Sequence, residues 1–522
     1  MTEKRQHSII KMVIMATAIT TILCACRHQA SEQTEAEQSA FAQYVDSLDP
    51  QQMEHALQIL LKKDTSSWKS DITVKQHYAN MNDFGTSALW FTRMGVKPEA
   101  DSLLAILRHE LPLAGLDTTV FHVPQIAADL QVTHLLAFDS LGLNINEVLP
   151  RLDYHLTKAF VRYCTGQRYG FMRPDRTFNK LEYKPHTKDK VFARLFDYEV
   201  FAPDYEEVFG HLTDEHLISY IQESRPQGKV YEALRQRMMS TNDSKERQKL
   251  ALNMERCRWQ LKLPYTGERN ILVNIAAQQL WAVSPDTVIS MRICCGAVTN
   301  KSPLLCSEIS HMQVNPDWIV PQNIVKTDFL HHEGDSAYFA RNRYYIVERS
   351  TGDTLRPADV SAEEMESGQL RIGQLGGEGN SLGRIVFRFA NDFGIYLHDT
   401  NNRKAFDRER RTLSHGCIRV QKPFELACFL LPQADEWLLE RMRLSMDIKP
   451  ESDRGKKYLK EHEKDPRPLR LITYQGVSPY VPVYIIYYTM YPNPITGEVE
   501  SWLDLYNYDK VIHQELHQLL QK

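Results

Sequence analysis

Gly394-Ile395-Tyr396-Leu397-His398 is a strand-like run that ends in a histidine, and nineteen positions after that histidine stands the cysteine of Ser414-His415-Gly416-Cys417-Ile418-Arg419. Side chains alternate along a strand, so Tyr396 and His398 share one face while Ile395 and Leu397 bury on the other. A thiol becomes a nucleophile when an imidazole or another positive partner depresses its pKa, and glycine lets backbone N–H groups approach a developing oxyanion. The spacing predicts a loop that returns the chain to the histidine, with Cys417 on a turn and the N–H groups of Gly416 and Cys417 free to donate to one oxygen. A Cys–His pair with such donors is the minimum apparatus for acyl transfer through a thioester.

The loop from Asp399 to Leu413 carries Arg403, Lys404, Arg408, Arg410 and Arg411 against Asp407 and Glu409. It reads equally as an attractor of a carboxylate-bearing substrate and as a solvated surface loop. Arg419 is suited to a bidentate grip on a substrate carboxylate or to a structural ion pair. Zinc ligation by His398, His415 and Cys417 lacks a fourth ligand at convincing spacing, so no metal and no cofactor is expected. The glycine-rich Gln374-Leu375-Gly376-Gly377-Glu378-Gly379-Asn380 run precedes a strand rather than a helix, which disfavours a phosphate cradle.

Outward from this site, 522 residues suffice for two or three domains, and 43% hydrophobic with 25% charged residues is ordinary for a globular protein. A formal charge of -4 gives no polyanion-binding signature, so nucleic acid is not expected as a partner. Lys4, Arg5 and Lys11 precede an apolar run from Met12 to Ala25 that is short for a membrane span. The run closes on Leu23-Cys24-Ala25-Cys26, which resembles a bacterial lipobox with Cys26 as the lipidated residue. That reading predicts a membrane-anchored lipoprotein in the cell envelope, facing the periplasm. Seven cysteines lie beyond Cys24 and Cys26, without Cys-x-x-Cys spacing. They cannot all pair within one chain, and Cys417 is the thiol expected to stay free.

The expected class is α+β, a mainly helical domain followed by a mixed, mostly β catalytic domain. Residues 1–25 read as a signal peptide, 26–40 as a tether and 41–262 as helical. Leu149, Leu152, Leu156, Phe160 and Tyr163 form one apolar helical stripe, and Leu250, Met254, Cys257 and Leu261 form another. From 263 to 435 short β-rich runs dominate, with a helix from Pro423 to Leu431. Residues 436–522 read as an extension packed on both domains, with an aromatic strand from Val481 to Tyr488 and a last helix from about Asp509.

Tyr396-Leu397-His398-Asp399-Thr400, Phe406, Arg411 and Ser414-His415-Gly416-Cys417-Ile418-Arg419-Val420 resemble the signature of L,D-transpeptidases with a YkuD-type catalytic domain. Asn253-Met254-Glu255-Arg256, Asn315-Pro316-Asp317-Trp318-Ile319-Val320-Pro321 and Asn380-Ser381-Leu382-Gly383 are similar to landmarks of the long YcbB type, and Gly115-Leu116-Asp117 and Leu156-Thr157-Lys158-Ala159 to its helical scaffold. The resemblance implies formation of 3-3 cross-links in peptidoglycan. Cys417 would attack a donor tetrapeptide stem, expel D-alanine and pass the acyl group to an acceptor amine. His398 would be the base, oriented by a carbonyl or by Asp399. His415 would shape the pocket or assist proton transfer, Gly416 and Cys417 would hold the oxyanion, and Arg419, Tyr396, Ser414 and Arg411 would bind substrate. Carbapenems would acylate Cys417. An L,D-carboxypeptidase, an enzyme attaching protein to peptidoglycan and a non-enzymatic wall-binding lipoprotein are the rival functions. No separate peptidoglycan-binding module separates scaffold and catalytic segment, Gly376-Gly377 replaces a proline-containing turn, and Asp328 to Gly368 reads as a mobile cap over the donor site.

Overall fold

The computed structural model describes residues 41–521 apart from 42, 43, 45, 46, 82, 83, 182–194, 262–267 and 465–468. The signal peptide, the tether, Cys26 and the domain boundary expected at 262–263 lie outside the described residues. Among those described, no helix is long and apolar enough to cross a membrane.

The helical half is organised around one helix, Ile145–Tyr169. Asn144 caps it by accepting the Asn146 N–H, and Gly170, with φ of 84°, ends it where a side chain would be strained. The predicted stripe is buried, but so are Asp153, Thr157, Lys158 and Arg162 on other faces, because helices Pro50–Lys63, Lys69–Ala79 and Val123–His134 pack around it. Each of these four has a partner. Asp153 accepts the N–H groups of Leu89 and Trp90 and the Tyr78 hydroxyl at 2.5 Å. The second predicted stripe is shorter than expected: its helix, Ser244–Arg258, ends before Leu261, which bridges to Val200 instead.

The β half holds strands β1 (Asn270–Asn274), β2 (Gln279–Val283), β3 (Val288–Gly296), β4 (Leu305–Val314), β5 (Trp318–Ile319), β6 (Tyr344–Glu348), β7 (Thr354–Leu355), β8 (Leu370–Gln374), β9 (Ile385–Phe389), β10 (Leu397–His398), β11 (Thr412–Ser414), β12 (Ile418–Val420) and β13 (Tyr474–Ile486). The main sheet runs β11-β3-β12-β10-β9-β4-β13-β1-β2, and a further pairing of β2 with β3 closes it on itself. Closure leaves β11 as a short branch and removes most free edges. Ile385, Phe387, Leu397, Ile418, Val483 and Ile485 fill one side as the core.

Two expectations are corrected here. Residues 436–522 are woven into the catalytic sheet rather than laid on it: β13 lies between β4 and β1, parallel to β1 and antiparallel to β4. The chain then returns to the scaffold, where Leu520 bridges to Leu116. The aromatic strand also begins earlier, at Tyr474, with a register shift between Gly476 and Val481. The cap read as Asp328 to Gly368 is wider. β5, β8, β6 and β7 form a second sheet in that order, and Val320, Phe329, Phe339, Ile346 and Ile372 give it a core separate from the main one.

The C-terminal segment is tied to the scaffold by a polar lock. Asn253 donates to Thr489 Oγ1 at 2.9 Å and accepts the Thr489 N–H at 3.0 Å, Thr489 donates to Asp509 at 2.6 Å, and Arg256 pairs with Asp509 at 2.7 Å. Asn253 and Thr489 are fully buried, so removing the amide strands a donor and an acceptor without water. Asn253→Ala is expected to destabilise the chain by about 2–3 kcal/mol in urea unfolding. A change below about 0.5 kcal/mol, the size of an ordinary surface substitution, would mean the lock carries no load.

Candidate active site

Strand register assembles the site. β10 and β12 run parallel, with Leu397 opposite Ile418 and His398 opposite Arg419, which sets Tyr396 against Cys417. The Ile418 N–H donates to the Tyr396 carbonyl at 3.1 Å, in keeping with that register. Leu397 and Ile418 are buried in the core, so Tyr396, His398, Cys417 and Arg419 emerge together on the other face. Cys417 and His398 are diagonal neighbours on that face. β9 extends the surface, since Val386 opposes His398 and Arg388 follows two residues later on the same side. The Arg388 guanidinium carbon lies 4.3 Å from the centre of the Tyr396 ring.

Cys417 as a residue is partly exposed, and the backbone and hydroxyl of Tyr396 lie beside its sulfur. Burial of its surroundings nevertheless pushes the Cys417 thiol up to about 11, and Tyr396, Arg388 and Arg419 offset this only in part. His398 is 4% exposed. Burial first, and the Arg419 charge second, push its imidazole down to about 3, while the backbone of Asp399 and Leu382 pulls the other way. Near neutral pH both members of the pair are therefore uncharged. This corrects the expectation of a resting thiolate primed by a cationic imidazole: the site is too dry, and already too positive, to hold a second cation at 398.

The turn before the cysteine is fixed by its own hydroxyls. Ser414 Oγ donates to the Cys417 carbonyl at 2.5 Å and accepts the Gly416 N–H at 3.2 Å. Ser302 donates to the Gly416 carbonyl at 2.7 Å and accepts the Gly296 N–H at 2.9 Å. Gly416 takes φ of 119°, a region other residues rarely enter. Two expectations change. The Gly416 N–H is already engaged and is not a free oxyanion donor, and Ser414 is a buried turn-builder rather than a substrate contact. Arg411 is corrected as well. It is 7% exposed, and its guanidinium donates to the carbonyls of Ile293, Arg408, Glu409 and Gln278, which leaves no fork for a carboxylate.

The remaining assignments sort by partner. The Asp399 carboxylate does not orient His398: one oxygen accepts the Arg384 N–H at 2.8 Å and the other pairs with Arg403 at 2.7 Å. His398 Nδ1 is buried with no well-formed hydrogen bond among the described residues. Arg419 meets no carboxylate among the described residues, and its Nε is buried without a partner, which favours the substrate-facing reading over the structural ion pair. His415 is exposed and sits 3.9 Å from Asp328 of the cap, outside the row of reactive groups. Lys404, Arg408 and Arg410 of the charged loop are exposed. No group of three or more His, Cys, Asp or Glu side chains suited to a metal occurs among the described residues. All seven cysteines of the described chain are free.

Sequence reading missed Trp318, Arg388 and the pair Ser302–Tyr506. The Trp318 side chain, from the first strand of the cap, hydrogen-bonds the Tyr396 side chain. The Tyr506 hydroxyl donates to the Gly296 carbonyl at 2.7 Å and accepts the Ser302 N–H at 3.1 Å, supporting the turn from behind. Arg388 alone left a trace, a cation in the middle of the apolar run Ile385–Phe389.

Residues 268–438 match the model of the L,D-transpeptidase catalytic domain, YkuD, and residues 73–238 match that of the Scaffold domain. A Haemophilus influenzae protein provisionally named L,D-transpeptidase is 26% identical over 370 residues, covering 68% of this chain and 70% of that protein. The chain thus joins a helical Scaffold domain to a mostly β L,D-transpeptidase catalytic domain of the YkuD type.

Proposed function

We propose that this protein forms 3-3 peptidoglycan cross-links through a thioester on Cys417. The observation that carries the reading is the placement of Cys417, His398, Tyr396 and Arg419 on one face of the sheet, with the thiol and imidazole as diagonal neighbours. Neutral His398 takes the thiol proton as sulfur attacks the carbonyl of the third residue in a donor tetrapeptide. The carbon–nitrogen bond to D-alanine then breaks, and the imidazolium returns its proton to the leaving amine. The side-chain amine of an acceptor stem attacks the thioester, His398 removes its proton, and the thiol is restored. The Cys417 N–H and the Tyr396 hydroxyl beside the sulfur would donate to the carbonyl under attack. Arg419, without an ion pair among the described residues, steers a stem carboxylate. Carbapenems would acylate the same sulfur, and lipidation of Cys26 would hold the enzyme on a membrane of the cell envelope, facing the periplasm.

Incubation of the purified protein with tetrapeptide-rich sacculi, followed by mass analysis of the muropeptides, tests the reading. Dimers linked between two third residues, with release of D-alanine, are expected. Tripeptide monomers alone would make the protein an L,D-carboxypeptidase, and unchanged muropeptides would remove enzymatic function altogether.

A further inference from the structure

The scaffold contains a cavity of about 370 Å³, remote in sequence from the catalytic residues, lined by helices Pro50–Lys63, Lys69–Ala79 and Ile145–Tyr169 and by Thr119, Val120 and His122. Its interior is charged. Lys158, 4% exposed, pairs with Asp64 at 2.6 Å and Asp71 at 3.1 Å, and Arg162 pairs with Asp71 through two nitrogens. The carboxylates are fully used: Asp64 also accepts the Tyr154 hydroxyl at 2.6 Å and the Ser66 N–H at 2.9 Å, and Asp71 accepts the Ser70 hydroxyl at 3.3 Å. A cation entering the cavity would find no free carboxylate oxygen.

Donors are in surplus instead. The rings of His122 and His155 stack with centroids 4.3 Å apart and planes 1° from parallel. Burial, with Lys158 close to both, pushes them down to about 4 and about 3, so each is neutral and carries one N–H. His155 Nδ1 is buried and has no hydrogen-bond partner among the described residues. His122 holds φ of 55°, a left-handed conformation costly for a residue with a side chain. Lys63 stands exposed at the rim, with no ion pair among the described residues. Lys63, Lys158 and Arg162 against Asp64 and Asp71 leave the lining one positive charge in excess. Lys63 also lines a groove of about 600 Å³ that continues past His55, Ile59 and Arg151, which leaves room for the rest of a larger molecule.

We propose that this scaffold cavity is a binding site for a compact oxyanion, a carboxylate or a phosphate, held by the Lys63 ammonium and the imidazoles of His122 and His155. The inference is independent of the catalytic reading, because neither the residues nor the measurement involve Cys417. Calorimetric titration of the full chain with inorganic phosphate, and separately with muramyl dipeptide as a carboxylate source, tests it. Saturable binding of one probe or both is expected, and whichever binds names the source. Lys63→Gln, at an exposed and unpaired position that should not disturb folding, should weaken that binding by about tenfold, the scale of one hydrogen bond to a charged group. His155→Gln should weaken it similarly. Absence of binding by either probe would overturn the proposal, as would binding that Lys63→Gln leaves unchanged.

Discussion

Cys417→Ala is expected to stop release of D-alanine from tetrapeptide stems, lowering turnover by about four orders of magnitude or more, the scale on which a covalent nucleophile is lost. Among the described residues no other thiol is placed to substitute. Cys164, Cys294 and Cys295 are fully buried, and burial raises the thiol pKa of each. Cys257, Cys306 and Cys428 are partly exposed, but burial raises their pKa values too, and none follows a glycine turn. The substitution removes one sulfur from a partly exposed residue and keeps the Gly416 turn, so stability should change by no more than about 1 kcal/mol. Loss of turnover with an unchanged melting curve therefore isolates chemistry from folding. The mass increase that a carbapenem adds to the wild-type chain should vanish with it. Turnover above about 1% of wild type, a loss of less than about 3 kcal/mol in transition-state stabilisation, would place the nucleophile elsewhere.

The parts of the site legible in the sequence are those whose geometry is local. Alternation alone puts Tyr396 and His398 on one face, and the Ser-His-Gly-Cys run announces a tight turn. What alternation cannot supply is register. That His398 faces Arg419 and Cys417 faces Tyr396 follows from the parallel pairing of β10 with β12, and strands nineteen residues apart can pair in either direction. The same limit hid Arg388, which reaches Tyr396 only because β9 is antiparallel to β10. Arg411 and Ser414 misled for a different reason. Their side chains are as suited to backbone carbonyls as to a substrate, and the deciding variable is burial, which a residue's type does not disclose. Resting charge was misjudged similarly, since proximity of thiol and imidazole suggests an ion pair until desolvation is counted.

Domain texture was legible because helical and alternating periodicities differ, and the stripe from Leu149 to Tyr163 lies within the long helix Ile145–Tyr169. The C-terminal segment was not. A charge-dense stretch separates β13 from the rest of the catalytic strands, so it reads as an appendage, yet its partners β4 and β1 lie some two hundred residues earlier. The cap was underestimated because its core residues, such as Val320 and Ile372, are spread along the chain on either side of charged loops.

The uncharged resting pair makes two measurements diverge that an ion pair would keep together. His398 has its pKa depressed to about 3, so its proton is absent above roughly pH 5, and Cys417, raised to about 11, keeps its proton until roughly pH 9. Between those limits kcat/KM for D-alanine release should be nearly flat, with no limb at the ordinary histidine value. Iodoacetamide, which needs thiolate and uses no base, should instead react about tenfold faster per pH unit from 7 to 10. His398→Gln should lower D-alanine release by about a hundredfold to ten-thousandfold, the contribution of a positioned general base. Alkylation at pH 9 should change by less than about threefold, because a neutral imidazole does not prime the resting sulfur. A preformed thiolate–imidazolium pair would give alkylation that levels off below pH 7 and collapses in His398→Gln. That result would return the mechanism to a pre-ionised nucleophile and require an anionic partner for His398, which Asp399, already bound by Arg384 and Arg403, does not provide.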